Sequence, residues 1–286
     1  MRWKGRQQSD NVEDRRGLSG PAIVGGGLGT LILIILGLVF FGNPNQFAGV
    51  MPAGGPAAGQ PGEQRELTEA EKEQGEFVSV VLKDLEDVWT EEFARHGQTY
   101  EKPHMELFSG STRSACGPAS AAVGPFYCPL DRKVYLDTAF FQELEEKFKA
   151  PGNFAQAYVV AHEVGHHVQN LLGITEQVDR LRGRASEDEV NAASVRLELQ
   201  ADFLAGVWAN HAQRTKNILE PGDIESGIRA ALAIGDDTLQ KESQGYIVPE
   251  KFTHGSSEQR ARWFSKGFAT GDMTQGDTFA VPASEL

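Results

Sequence analysis

Residues 158–170 read YVVAHEVGHHVQN, and they constrain this chain more than any other stretch. They contain His162-Glu163-Val164-Gly165-His166, the H-E-x-x-H pattern. On a helix, positions i and i+4 lie one above the other. The imidazoles of His162 and His166 can then close on one metal ion. Glu163 sits about 100° round the helix, within reach of a water at that ion without ligating it. The string lies in an apolar helical pattern, which both histidines need if they are to face inward. Gly165 leaves room for a close neighbour.

A catalytic zinc needs a third protein ligand and an open fourth position. His167 points about 100° away from His166 and is read as a polar contact. The longer pattern H-E-x-x-H-x-x-G-x-x-H fails, because Gln169 and Leu172 stand where its glycine and third histidine belong. The third ligand therefore lies on another element. Glu198 and Asp202 are at i and i+4 in the next long helix, beside the apolar Val195, Leu199, Phe203 and Leu204. Carboxylates at an apolar face are costly unless they meet a charge or a donor. A metal for Glu198 and a histidine N–H for Asp202 would satisfy both. One Zn2+ per chain is expected, held by His162, His166 and Glu198.

The surrounding chain supplies a context. Ile23 to Phe41 is an uncharged run of nineteen residues, just long enough to cross a hydrocarbon core of ~30 Å. Arg2, Lys4, Arg6, Arg15 and Arg16 precede it, and no Lys or Arg follows until Arg65. The positive-inside rule predicts a cytoplasmic N-terminus and everything after Phe41 outside. The G-x-x-x-G of Gly25 and Gly29 is read as tolerated glycines rather than a dimer motif, and homo-oligomerisation is left open. The expected organisation is a cytoplasmic basic segment over 1–22, an anchor in the cytoplasmic membrane over 23–41 and a flexible Gly/Pro/Ala linker over 42–64. A folded domain over 65–270 and a loose tail over 271–286 complete it.

Within the domain, apolar positions at three- and four-residue intervals predict a helix ending at Arg95. Met105–Phe108 is a strand candidate, and residues 125–129 and 133–136 flank a tight β connection. Helices are expected over 139–149, 154–172, 186–211, 224–240 and from Ser256 or Ser257 to Phe268. The fold class is α+β, helix-dominated, with a small antiparallel sheet near residues 105–137 packed on the helix of the motif. Cys116 and Cys128 are the two cysteines. They are a disulfide, two buried thiols or half a metal site; an oxidising compartment selects the disulfide. The formal net charge of −13 argues against nucleic acid as a partner.

The H-E-x-x-H followed about thirty residues later by E-x-x-x-D resembles the gluzincin arrangement of thermolysin-like zinc peptidases. More closely, the stretches MRWKGRQQSDNVEDRR, FYCPLDRKVYLD, AHEVGHHVQNLLG, ELQADFLAGVWA and GYIVPEKFTHGSSEQRARWF are similar to the neutral zinc metallopeptidase family of bacterial membrane-anchored proteins. The resemblance implies the zinc site and a single N-terminal anchor; a zincin-like domain and a protein or peptide substrate are expected from the zinc-hydrolase site itself. An endopeptidase with Glu163 as general base is the expected class. By analogy with gluzincins, His254 is the candidate donor to the oxyanion, with Tyr246 behind it, and the strand carrying Tyr135 and Leu136 is the candidate edge for an extended peptide. Two other readings stand beside this one: a non-catalytic, zinc-stabilised binding module at the membrane, and a zinc hydrolase of a non-peptide amide.

Overall fold

The computed structural model describes residues 1–17, 65–120 and 124–286. The expected span 23–41 and linker 42–64 lie outside them. Among the described residues no helix is long and apolar enough to cross a membrane.

The architecture is helix-dominated α+β. The sheet has the order β1-β2-β6-β5, with β1 Val12–Asp14, β2 His104–Phe108, β5 Phe126–Cys128 and β6 Lys133–Asp137. It is not the antiparallel sheet that local hairpin signals predict. β1, β2 and β6 run parallel, and β5 alone is antiparallel, joined to β6 by the tight turn. The reason is non-local. β1 comes from the amino-terminal segment, with Val12 opposite Met105, and β6 returns beside β2 after a separate hairpin of β3 Ser111–Ser114 and β4 Gly117–Ser120. Tyr135 and Leu136 are therefore on an interior strand, between β2 and β5; the edge strands are β1 and β5. Cys116 and Cys128 form a disulfide that ties the hairpin to β5.

Residues 1–17 were expected to stand apart from the domain. They are part of it: β1 completes the sheet, and Trp3 lies in the main core. The tail is not loose either, despite its low apolar content. Arg196 Nη1 donates to the carbonyl oxygens of Thr278 and Val281, and Gln200 Nε2 donates to that of Gly276 at 2.9 Å. Polar side chains reaching its backbone hold it, and hydropathy does not record them.

Helix α1 spans Glu69–Arg95, α2 Ala139–Glu146, α3 Asn153–Leu171, α4 Ile174–Asp179, α5 Glu187–Lys216, α6 Asp223–Ala233, α7 Asp236–Gln244 and α8 Ser257–Thr270. Capping boxes at Thr68–Glu71, Ser186–Glu189 and Ser256–Gln259 start α1, α5 and α8. Each satisfies two backbone donors that a helix start leaves free. The single helix expected over 224–240 is two helices, broken at Ile234-Gly235. Gly235 lies against the backbone of Ser257, where a side chain would overlap it.

Helices α3, α5 and α8 make the frame of the site. Gly165 on α3 faces Ala201 on α5: a Cβ there would lie 3.0 Å from the Ala201 carbonyl oxygen. Gly206 on α5 and Gly267 on α8 lie against each other's helix backbone, with no space for a side chain at either. Three glycines thus let the helices approach closely enough for short polar groups to meet between them.

Candidate metal centre

His162 and His166 lie on α3, and Glu198 lies on α5 across the Gly165–Ala201 contact. Their ligand atoms converge: His162 Nε2 is 3.1 Å from Glu198 Oε2 and 3.2 Å from His166 Nε2, which is 3.4 Å from Glu198 Oε1. These three residues form a candidate metal site.

The hydrogen bonds behind the imidazoles decide what those atoms carry. His162 Nδ1 donates to Asp202 Oδ1 at 2.8 Å, and His166 Nδ1 donates to Gln169 Oε1 at 2.9 Å. The Gln169 amide is itself oriented, since its Nε2 donates to the Leu197 carbonyl at 2.7 Å and to Gln200 Oε1 at 3.0 Å. With Nδ1 protonated on both neutral rings, each Nε2 presents a lone pair. Two nitrogen lone pairs and a carboxylate then face one another, and the one donor in reach among the described residues is Arg260 Nη2, 3.4 Å from His162 Nε2. Such a cluster of acceptors asks for a cation. Two imidazoles and one carboxylate are a donor set that zinc takes in catalytic sites.

A proton is the competing cation. Burial opposes charge on His162, but Asp202 and Glu198 outweigh it and raise its pKa well above the ordinary 6.5. Burial likewise pushes Glu198 up, and the facing His166 and His162 bring it well below the usual carboxylate range.

Asp202 is fully buried and accepts from three sides. Besides His162, Tyr158 donates through its hydroxyl, and Arg260 on α8 donates from Nε at 2.8 Å to Oδ2 and from Nη2 at 3.0 Å to Oδ1. Burial would raise the Asp202 pKa, but Arg260 and His162 hold it low. The carboxylate stays charged and fixes the His162 ring. Sequence reasoning missed Tyr158, Gln169 and Arg260. A signal for Arg260 exists: it shares the inward face of α8 with Trp263, Phe264 and Gly267 at the i+3, i+4 and i+7 positions.

Glu163 is buried, yet its carboxylate accepts no hydrogen bond from any described residue. It is uncommitted, next to His162 on α3. His254 lies on the segment before α8, which packs on the α5 face bearing Glu198. Gly255, with φ of +89°, leaves a gap in which a side chain would press on Leu199 and Val195. The break before α7 places Asp236 to hold this segment. Asp236 Oδ2 accepts the backbone amides of Thr253, His254 and Gly255 at 2.6, 2.6 and 3.1 Å, and Oδ1 accepts from His254 Nδ1 at 3.1 Å. Burial works against charge on His254, but Asp236 and then Glu198 raise its pKa. Its Nε2 has no hydrogen-bond partner among the described residues. Tyr246, expected behind it, shares no hydrogen bond with it. That residue is 62% exposed on a polar turn, and its hydroxyl has no partner among the described residues.

Over residues 1–279 the chain matches the family described as "putative neutral zinc metallopeptidase". The chain belongs to this family. The uncharacterized protein YpfJ of Escherichia coli (strain K12) is 47% identical over 290 residues, covering 98% of this chain and 99% of the relative. The uncharacterized protein Rv2575 of Mycobacterium tuberculosis (strain ATCC 25618 / H37Rv) is 50% identical over 194 residues, 64% of each chain. No solved structure matches. The family match begins at residue 1, in agreement with the structural place of residues 1–17 in the sheet.

Proposed function

We propose that this chain is a membrane-held zinc peptidase that hydrolyses peptide bonds with Glu163 as the general base. One observation carries the reading: acceptor atoms of three residues lie 3.1–3.4 Å from their neighbours, and the buried Glu163, next to His162 on the same helix, accepts no hydrogen bond from any described residue. Zinc held by His162, His166 and Glu198 would polarise a scissile carbonyl and make water acidic enough to attack near neutral pH. Glu163 takes the proton of the attacking water and passes it to the leaving nitrogen. His254, kept protonated by Asp236, donates from Nε2 to the carbonyl oxygen as charge develops there. The gluzincin-like pairing of Asp202 with His162 keeps that ring in one tautomer. The open edge of β5 suits an extended peptide, which would add a strand to the sheet. An uncommitted Glu163 favours an enzyme over a pure binding module, which has no use for a base beside the metal.

Membrane attachment through residues 23–41 and an oxidising compartment belong to this proposal. The uncharged run and the Cys116–Cys128 disulfide support them. The test is cleavage of unfolded casein by the purified full chain and by Glu163→Gln. The variant keeps its zinc and loses about 10³-fold in rate. Equal cleavage by both proteins, or none by the zinc-loaded wild type, rejects the peptidase reading.

A further inference from the structure

The amino-terminal segment is locked into the domain by more than one kind of contact. Trp3 packs edge-on against Phe77, with ring centroids 5.4 Å apart. Two buried acids of α1 depend on it: Arg6 pairs with Asp84, and Glu86 Oε1 accepts from Ser9 Oγ and Asn11 Nδ2, each at 2.6 Å. The Met105 amide donates to the Asn11 carbonyl oxygen at 2.9 Å, and β1 continues the pairing from Val12 to Asp14. Arg16 is buried, pairs with Asp14 at 2.6 Å, and occupies the space that Gly75 leaves by having no side chain. The next residue meets the returning chain: the Arg65 amide donates to the Gly17 carbonyl oxygen at 3.0 Å. The two ends that flank residues 18–64 therefore meet at a single point of the domain.

From Gly17 to Gly62 the chain carries no charged residue, and its most apolar part is 23–41. We infer that residues 1–17 and the metal-centre domain share one face of the membrane. This rests on reading residues 23–41 as entering a bilayer, and it replaces the single-pass arrangement with the two ends on opposite faces. That arrangement would strip β1 from the sheet, empty the Trp3 site, and take Arg6 from Asp84 and Ser9 and Asn11 from Glu86, leaving these acids only Lys216 and Lys102. Taking hydrogen-bond donors away from a carboxylate is unfavourable even where one cation remains. The positive-inside rule concerns charges free to meet the membrane surface. Here Lys4, Arg6, Arg15 and Arg16 are engaged by Glu73, Asp84, Glu106 and Asp14. The disulfide assigns the shared face to an oxidising compartment.

Cysteine labelling of the full-length chain tests this. Gln8→Cys and Glu145→Cys each put one thiol at an exposed position, on the amino-terminal segment and on the domain; the native cysteines are already paired. Spheroplasts are treated with a membrane-impermeant maleimide before and after permeabilisation, and membranes are washed with alkaline carbonate. The expected result is a chain that resists the wash, with both positions reacting before permeabilisation. One position reacting only after permeabilisation overturns the shared face. Both doing so overturns the oxidising side. Release by carbonate instead overturns the membrane reading of residues 23–41, a failure that leaves the contacts of residues 1–17 intact.

Discussion

His166 and His167 are neighbours on one helix and serve opposite chemistry. His166 Nε2 points its lone pair into a cluster of acceptors. His167 is fully buried and fully matched: Nε2 donates to the Glu101 carbonyl oxygen at 2.6 Å, and Nδ1 accepts from the Tyr127 hydroxyl at 3.0 Å. Asn170 Nδ2 donates to the same hydroxyl at 2.9 Å, so this side of α3 is sewn to the sheet. One face of α3 is balanced and structural. The other carries excess acceptors, the signature of a place that binds a cation. Neither burial nor the presence of histidine separates the two faces; the balance of donors and acceptors does.

Mutation can break that contrast, and the largest effect is expected on the reactive side. His254→Ala or Asp236→Asn removes or misplaces the donor, and kcat for peptide cleavage falls by about 10²–10³. Zinc content stays unchanged, which distinguishes this from loss of the metal site. An unchanged kcat in both variants removes His254 from the account.

On the balanced side the effect is on stability. Burial is the main cause that lowers the His167 pKa from 6.5 to about 4, against the Glu101 carbonyl that favours its charge. The unfolded chain therefore binds a proton that the folded chain refuses. Stability from this group is fully present above pH 6.5 and is lost as pH falls through about 4, by about 3 kcal/mol. Denaturant unfolding of the wild type and His167→Gln across that window should show the difference in slope. The variant is less stable at neutral pH and less sensitive to acid. Parallel pH profiles would show that His167 is not buried neutral.

Asp202→Asn sharpens the link between the helices. It keeps the shape but weakens the acceptor for His162 Nδ1 and Arg260. Zinc affinity should fall by about 10- to 100-fold, read by competition with a chelating dye. An affinity equal to wild type would mean that Asp202 is only a partner for Arg260.

Much of this was legible in the sequence, and the reasons are local. The period of α3, the helix starts at Ser186 and Ser256, and the i, i+4 spacings of His162–His166 and Glu198–Asp202 are short-range signals that need no knowledge of the fold. What escaped depends on distant chain segments. β1 is three residues, Val-Glu-Asp, joined to the sheet by backbone hydrogen bonds and carrying no hydropathy pattern. The parallel direction of β2 and β6 is set by connections, not by composition. The tail is held by Arg196 and Gln200, whose targets are carbonyl groups anonymous in sequence. Gln169 spoke against a longer histidine pattern, but its role as the acceptor for His166 required Leu197 and Gln200 to fix its amide. The break at Ile234-Gly235 makes sense only once Asp236 is seen to hold His254.

The central claim is that the lone pairs between α3 and α5 form a metal centre. Elemental analysis of the purified full-length chain, prepared without chelators and set beside Glu198→Ala, tests it most directly. The wild type should carry about one zinc per chain and the variant little or none. A folded wild type that takes up no zinc, or a Glu198→Ala variant that binds it equally well, would contradict it.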